Sequence, residues 1–129
     1  MLFSHPGVRL EDHLKEVANR VEACCRSIKA DPDFTGAAKL AALLHDIGKA
    51  TKFFQAHLEG RRVSPVLSSH ALLSAVFSLW HFGHRIPEEY KIPFFVAIRF
   101  HHSNPDDFER AIYPKFSWNT LEKQARVCL

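Results

Sequence analysis

Cysteine is scarce in this sequence and badly placed for cross-linking. The three cysteines are Cys24, Cys25 and Cys128, so two are adjacent and the count is odd. This spacing argues against a disulfide framework, and the lack of a CxxC pair argues against a cysteine-ligated zinc site. We therefore expect a reducing compartment and predict a cytoplasmic protein.

Long apolar runs and a strong charge of one sign are also missing. The first ten residues show no basic start followed by an apolar stretch, as a secretory signal would. No segment reaches the roughly 18 apolar residues of a membrane-spanning helix, so no membrane partner is expected. The formal net charge is only +3, which by itself does not argue for nucleic acid. The chain has 129 residues, 47% of them hydrophobic, and this predicts one folded domain.

Strand-like alternation and internal repeats are absent, and helical periodicity takes their place. Apolar residues recur at spacings of three and four from Leu10 to Ile28, which predicts a first helix ended by Asp31-Pro32-Asp33. The inward positions of this helix are predicted to be Leu10, Leu14, Val17, Val21, Cys24 and Ile28. A second helix over 36–47, with Thr35 as its N-cap, is apolar nearly all round and should lie at the domain centre.

The rest of the chain is also predicted to be helical. Further helices are expected over 51–58, 68–82 and 90–102, and from Ser117 or Asn119 onward. The buried stripe of the helix over 68–82 is predicted to be Leu72, Leu73, Val76, Leu79 and Trp80. The last helix is still running at Leu129, so we expect 1–129 to be a single all-α domain excised from a longer protein.

Histidine, in contrast, is abundant, with nine copies. The strongest local pattern is His45-Asp46-Ile47-Gly48-Lys49 at the end of the most apolar helix. A buried charge is costly unless it is paired or coordinated, and a divalent metal accepts both imidazole and carboxylate. Taken alone, the segment also fits a helix end with Asp46 exposed in a turn.

The other histidines favour the metal. His13 shares the inward face of the first helix, His70 begins an apolar helix, and His101 and His102 end another. Isolated structural histidines do not readily account for four helices that each bring histidine to a core face or a terminus. We therefore predict a shared metal centre, whose ligands are His13, His45, Asp46, His70, His101 and His102.

Six side chains are more than one ion usually takes, which predicts one or two ions with Asp46 as the bridge. Two ions roughly 3.5–4 Å apart form a clamp for in-line displacement at phosphorus. Lys49 lies three residues after Asp46 and could neutralise a phosphate oxygen; an ordinary surface lysine is the alternative. Asp46 and Lys49 are the predicted catalytic residues.

Several remaining residues are given smaller roles. Four histidines are expected to be structural or exposed: His5, His57, His81 and His84. Basic and aromatic side chains could together follow a single strand of nucleic acid, although a solvated face and a core are the plainer interpretations. These residues are Lys49, Lys52, Arg61, Arg62 and Arg99, with Phe53, Phe54 and Phe100.

The order of the ligands resembles a known family. A single His, then His-Asp, then His, then His-His on an all-helical chain resembles the HD superfamily of phosphohydrolases. More narrowly, the segment 45–51 followed by Phe54-Gln55 is similar to the HD nuclease domain of CRISPR-associated helicase–nucleases. The same holds for Ser69-His70-Ala71 with Ser74-Ala75, and for His101-His102-Ser103. The resemblance runs from about Leu10 to Ser103.

This resemblance implies an all-α HD-domain bundle with two central metal sites that cleaves single-stranded DNA. Its first site would use His13, His45 and Asp46, and its second Asp46, His70, His101 and His102. Lys49 would lie near the scissile phosphate. Manganese, nickel, cobalt or iron would suit such histidine-rich ligation better than magnesium. The implied partners are a helicase, in the same chain or a separate one, and an RNA-guided surveillance complex.

One departure from the family leaves alternatives open. The family usually has a further aspartate on its last helix, whereas Asp106 and Asp107 come too soon after His102. The expected position falls just past Leu129, which truncation would explain; a degenerate domain is the alternative. Two other functions also remain: an HD enzyme acting on nucleotides or cyclic nucleotides, and a non-catalytic metal-binding module that docks a partner.

Overall fold

The structure is a computed structural model that describes residues 1–103 and 118–126. Seven α-helices dominate this part of the chain, which confirms the all-α prediction. They are α1 Leu10–Ser27, α2 Pro32–Leu44, α3 Lys52–Leu58, α4 Pro65–Ser68, α5 Ala71–Phe82, α6 Glu88–Arg99 and α7 Trp118–Ala125. Two 3₁₀ turns lie at Ile47–Ala50 and Gly83–Arg85. No helix in the described ranges has the length and apolar character needed to cross a membrane.

A small hairpin before α1 was not predicted from the sequence. Strand β1, Phe3–His5, pairs antiparallel with β2, Val8–Arg9. Pro6 and Gly7 form the connection, and Gly7 has a φ of 77°. Proline followed by a glycine with positive φ is the signature of a type II turn. The Pro-Gly pair was therefore the available signal for this hairpin.

Helix α2 begins four residues earlier than predicted. Its N-cap is Asp31 rather than Thr35, and the Asp31 carboxylate accepts a 2.9 Å hydrogen bond from the N–H of Phe34. Pro32 occupies the first helical position, where a missing N–H costs nothing. The segment Asp31-Pro32-Asp33, expected to be a break, therefore starts α2.

The buried face of α1 also differs from the predicted one near its end. Leu10 and Leu14 are buried as expected, but Ala18 and Cys25 continue the buried stripe. Cys24 and Ile28 are exposed. Eleven residues make about three turns of an α-helix, so Cys25 and not Cys24 lies above Leu14.

Two later helices have different boundaries from the expected ones. The helix predicted over 68–82 begins at Ala71 as α5, and the extended backbone of Ser69 separates it from the short α4, which was not predicted. Trp80 was predicted to be buried, but it is 83% exposed. Helix α6 ends at Arg99, so His101 and His102 lie in the turn that follows it. The ambiguous segment 107–116 lies outside the described residues.

The hydrophobic core surrounds α2, as its all-round apolar sequence predicted. Helix α2 packs against α1, α5 and α6, and α5 packs against α6. The side chains at the centre come from α2, α5 and α6, and from the segment that joins the last two. They are Ala37, Ala41, Leu44, Ala75, Ile86, Phe94 and Ile98. Small alanines let the helices approach closely, and this brings the end of α2 near the termini of its neighbours.

Candidate metal centre

The predicted ligands converge at one end of the bundle. His13 comes from the first turns of α1, while His45 and Asp46 directly follow α2. His70 is the N-cap of α5, and His101 and His102 follow α6. All six predicted side chains are brought together there. Because α2 is central, its C-terminal end reaches each of the other segments.

Asp46 is at the centre of the cluster and is only 1% exposed. Its Oδ2 atom lies 3.2 Å from Nε2 of His13 and 3.3 Å from Nε2 of His45. The same oxygen lies 2.7 Å from the ammonium of Lys49. One carboxylate oxygen therefore faces α1, the end of α2 and the turn after it.

The other oxygen of Asp46 faces the opposite side. Oδ1 lies 2.8 Å from Nε2 of His70 and 3.2 Å from Nε2 of His101. The Nε2 atoms of His70 and His102 are 3.1 Å apart. Asp46 thus separates two histidine groups and belongs to both, as the predicted bridging role requires.

Backbone carbonyls fix the orientation of two of the imidazoles. His45 donates from Nδ1 to the carbonyl of Ala42 at 2.8 Å, and His101 donates from Nδ1 to the carbonyl of Ile98 at 2.7 Å. In each ring Nε2 is left to face Asp46. A hydrogen bond from the far ring nitrogen sets the tautomer and direction of a metal-ligating histidine.

The donor atoms form two groups that could each hold an ion. One group is Asp46, His70, His101 and His102, and the other is His13, His45 and Asp46; within each, the ligand atoms lie within 4.8 Å of one another. Imidazoles with one carboxylate are a donor set that suits divalent transition metals. The residues present therefore fit the metal that was predicted.

The pKa of Asp46 keeps this carboxylate anionic. Burial alone would raise that pKa, but hydrogen bonds from His101, His45, His70 and Lys49 outweigh burial and hold the pKa of Asp46 far below its usual range. A permanent negative charge at the shared position is what a bridging ligand needs.

Most of the imidazoles are biased toward the neutral form. Burial lowers the pKa of His13 and of His70 despite the nearby Asp46 carboxylate. Burial and the neighbouring charges of His101 and His70 lower the pKa of His102 to about 4. Only a neutral imidazole can ligate a metal, so these residues are already in the required state at neutral pH.

His45 is shifted in the opposite direction. Burial opposes its charged form, but hydrogen bonds to Asp46 and to the carbonyl of Ala42 outweigh burial and raise the pKa of His45. It can donate from both ring nitrogens only when it is protonated. A metal at Nε2 must therefore displace a proton from this ring.

The turn that carries Asp46 and Lys49 is held against α5. The N–H of Gly48 donates to the hydroxyl of Ser74 at 2.9 Å. A Cβ atom at Gly48 would lie 2.6 Å from the carbonyl oxygen of His70. Glycine is required here because the turn approaches the backbone of a predicted ligand so closely.

Gln55 connects the same turn to the hairpin. Its amide nitrogen donates to the carbonyl of Lys49 at 2.7 Å and to the carbonyl of Phe3 at 2.8 Å. Its amide oxygen accepts from the N–H of Phe3 at 3.1 Å. The hairpin is in this way a support of the metal centre.

Gln124 of α7 supports the segment that leads into His70. It is buried, and its amide nitrogen points to the carbonyls of Leu67 and Ser69 at 2.9 and 2.7 Å, with that of Val66 at 3.4 Å. Sequence reasoning missed this residue. The sequence predicted no role for Ser74 and Gln55 beyond the family resemblance. For Ser74, a polar residue on an apolar helical face was a usable signal.

Of the histidines expected to be peripheral, His5 lies nearest the site. The hairpin places its ring edge-on to that of His13, with centroids 5.4 Å apart, and its Nδ1 is 3.0 Å from the hydroxyl of the buried Ser4. His57, His81 and His84 are exposed, as expected.

Phe54 is both a core residue and a wall of the site. It is buried, its ring is 5.1 Å from that of His70, and the ammonium of Lys49 lies 5.4 Å from its centroid. Lys49 itself is 2% exposed, so it is not an ordinary surface lysine.

The remaining basic side chains are not part of the cluster around Asp46. Arg61 pairs with Glu59, Lys52 lies over Phe53, Arg99 lies over Phe100, and Arg62 is exposed. Asp106 and Asp107 lie outside the described residues.

The bundle and its histidine–aspartate cluster define a class of protein: a helical domain built to hold divalent metal ions. The model of the HD domain family matches residues 10–115, and the chain therefore belongs to this family. No curated protein and no solved structure gave a significant match. Family membership and the cluster together assign the chain to the metal-dependent phosphohydrolases, which confirms the superfamily resemblance.

Proposed function

We propose that this domain hydrolyses phosphodiester bonds in single-stranded DNA and serves as the nuclease of CRISPR antiviral interference. The observation that carries the proposal is one buried carboxylate shared by two histidine groups. Asp46 faces His13 and His45 with one oxygen, and His70 and His101 with the other. A shared carboxylate between two ion positions is typical of sites for in-line phosphoryl displacement.

The proposed ligand sets follow the two donor groups. His13, His45 and Asp46 would hold a first ion, and Asp46, His70, His101 and His102 a second. Manganese, nickel, cobalt or iron fits these imidazole-rich sets better than magnesium, which prefers oxygen ligands. When bound, such ions supply Lewis acidity and positive charge at the phosphorus centre.

The chain's own residues contribute rigid positioning and charge. Asp46 stays anionic, and the rings of His45 and His101 are oriented by backbone carbonyls before any ligand arrives. Lys49 adds a buried ammonium beside Asp46 that can pair with a phosphate oxygen. Preorganised charges of this kind contribute most to catalysis, because they need no rearrangement during the reaction.

An open and mostly apolar groove leads to the cluster. The groove has a volume of about 450 Å³ and reaches His45 and His101. It runs between α1 and α6 over the alanines of α2, among them Ala38 and Ala41. The groove does not enclose a ligand as most sites for small nucleotides do, and it leaves His45 and His101 open to a longer substrate.

The sequence resemblance extends the proposal to partners. The segments around His45-Asp46, His70 and His101-His102 are similar to CRISPR-associated helicase–nucleases. We accordingly propose that a helicase, fused or separate, delivers single-stranded DNA to this domain, and that an RNA-guided surveillance complex recruits both.

Cleavage of circular single-stranded DNA, with manganese or nickel added, tests the function directly. We expect metal-dependent nicking by the wild type and no nicking by Asp46→Ala or after chelation. Asp33→Ala is the matched control, because Asp33 is an exposed carboxylate in the first turn of α2. Hydrolysis of cyclic nucleotides in preference to DNA would overturn the nuclease assignment in favour of a nucleotide phosphohydrolase. Bound metal without turnover of either substrate would favour a metal-binding docking module.

A further inference from the structure

Lys49 is a cation that the chain itself places at the metal centre. Its ammonium lies 2.7 Å from Oδ2 of Asp46, and its side chain is only 3% exposed. A buried charge needs an opposite charge close by, because an unpaired one is costly. Asp46 supplies that partner through one of its two oxygens.

We propose that Lys49 makes the two ion positions unequal, because it holds the carboxylate oxygen that the first position needs. That position would use His13 and His45, which lie 3.2 and 3.3 Å from the same Oδ2 atom. A dication there would share Oδ2 with the ammonium, and like charges repel strongly where water is scarce. The inference rests on the metal centre of the proposed function and not on its substrate.

The second position does not share this conflict. It uses Oδ1 of Asp46, which faces His70 and His101 at 2.8 and 3.2 Å, together with His102. The carboxylate carbon separates Oδ1 from the oxygen that Lys49 holds. When metal is added, the second position, formed by Asp46, His70, His101 and His102, is therefore occupied before the first position.

A tetrahedral oxyanion changes the competition between Lys49 and the first ion for Oδ2 of Asp46. Its charge gives the Lys49 ammonium another partner, so that Asp46 Oδ2 becomes free for an ion held by His13 and His45. Binding free energies are linked reciprocally, so the oxyanion and the ion at the first position each strengthen the binding of the other. The full two-ion centre then forms at lower metal concentration when a phosphate group is present.

Manganese binding measured by equilibrium dialysis and electron paramagnetic resonance tests this inference. The wild type should bind one Mn²⁺ tightly and a second at least tenfold more weakly. Inorganic sulfate, compared with chloride at equal ionic strength, should reduce the difference in affinity between the two ions. Lys49→Gln and Lys49→Met should bind the second ion more tightly than the wild type does, and they should lose the sulfate effect. Lys123→Gln is the control, since Lys123 is exposed on α7, and it should match the wild type.

Two further variants identify the positions. His13→Gln should remove the weak ion and keep the tight one, and His102→Gln should weaken the tight one. Equal affinities in the wild type, or a second ion as weak in both Lys49 variants as in the wild type, overturn the inference. The sulfate comparison needs no substitution, so it stands even if a variant does not fold.

The outcomes separate this inference from the proposed function. No bound manganese would overturn both the inference and the metal centre. Two unequal ions whose gap depends on Lys49, in a protein that does not cleave DNA, would support the inference and overturn the nuclease assignment.

Discussion

The N–H of Gly48 donates a 2.9 Å hydrogen bond to the hydroxyl of Ser74, and this contact joins the turn of Asp46 and Lys49 to the helix that follows His70. Both residues are buried. Groups from the two candidate ion positions are thereby held in a fixed relation by a single hydroxyl.

Replacing Ser74 by alanine should destabilise the fold and weaken metal binding. The Gly48 N–H would be left buried without its acceptor, and this costs about 1–3 kcal/mol of unfolding free energy. Urea unfolding of the metal-free protein measures the loss. Ser78→Ala is the matched control, because among the described residues the buried Ser78 hydroxyl has no hydrogen-bond partner. Ser78→Ala should be neutral or stabilising, and equal losses in both variants would contradict the role of Ser74.

Gly48→Ala should damage the metal centre more than the rest of the fold. The added methyl group would lie 2.6 Å from the carbonyl oxygen of His70, so the turn or the start of α5 must move. We expect at least a tenfold loss of Mn²⁺ affinity, measured by calorimetry. Gly36→Ala lies in α2, where an added Cβ meets nothing within 4 Å, and it should stabilise the fold by roughly 0.5–1 kcal/mol. Unchanged metal affinity in Gly48→Ala would show that the close approach of Gly48 to the backbone of His70 does not affect metal binding.

Gln124→Ala should reduce metal binding from a distance. The substitution removes the donor shared by the carbonyls of Leu67 and Ser69, directly before His70. Each hydrogen bond that is lost contributes about 0.5–1.5 kcal/mol of stability, and the segment can shift with His70 attached. Cobalt absorption spectra, which report on ligand geometry, should change in Gln124→Ala and stay the same in Lys123→Ala. A loss of stability with an unchanged spectrum would restrict Gln124 to a structural role.

Metal affinity should fall as the pH drops through the raised pKa of His45. Its folded pKa lies above the ordinary value of about 6.5, because the protonated ring donates to both Asp46 and Ala42. The pKa values of His13, His70 and His102 are lowered, so these rings stay neutral in that range. The proton on His45 then competes with the metal, and metal affinity should decrease as the pH falls below that pKa.

Calorimetry in two buffers of different ionisation enthalpy counts the protons released near pH 6.5. His45→Gln should release fewer protons than the wild type on binding metal. The folding stability of the metal-free protein depends on pH in the opposite direction to metal affinity. The raised pKa of His45 stabilises the fold at low pH, and this contribution is lost as the pH rises through that pKa. A release of several protons would mean that the other histidines are also charged before metal binds.

The helical architecture could be predicted because its signals are local. Spacings of three and four indicate helices whatever they pack against, and all the long helices were found. Their ends were less predictable, since Asp31 can break a helix or cap one. The exposure of Trp80 could not be predicted from α5 alone, because both sides of this helix are apolar and packing decides which is covered.

The convergence of the candidate ligands was predictable for a different reason. His13, Asp46 and His70 are polar residues on apolar faces or at helix ends, where a partner is required. Of the residues that support them, Ser74 carried a sequence signal and Gln124 did not. Gln124 binds backbone carbonyls more than fifty residues away, and carbonyls belong to every residue and carry no sequence signal. His5 was underrated because its approach to His13 depends on the hairpin.

The contact between Gln55 and Phe3 has a consequence for the evolution of the first residues. Phe3 is held by its main-chain N–H and carbonyl, so Gln55 recognises a position in the chain rather than a type of side chain. Substitutions at residue 3 can therefore accumulate with little effect on this contact. An insertion or deletion between residues 3 and 10 would instead move strand β1 away from Gln55. Gln55 would then hold the turn of Lys49 less firmly. Among relatives, spacing in this stretch should be preserved more strictly than identity.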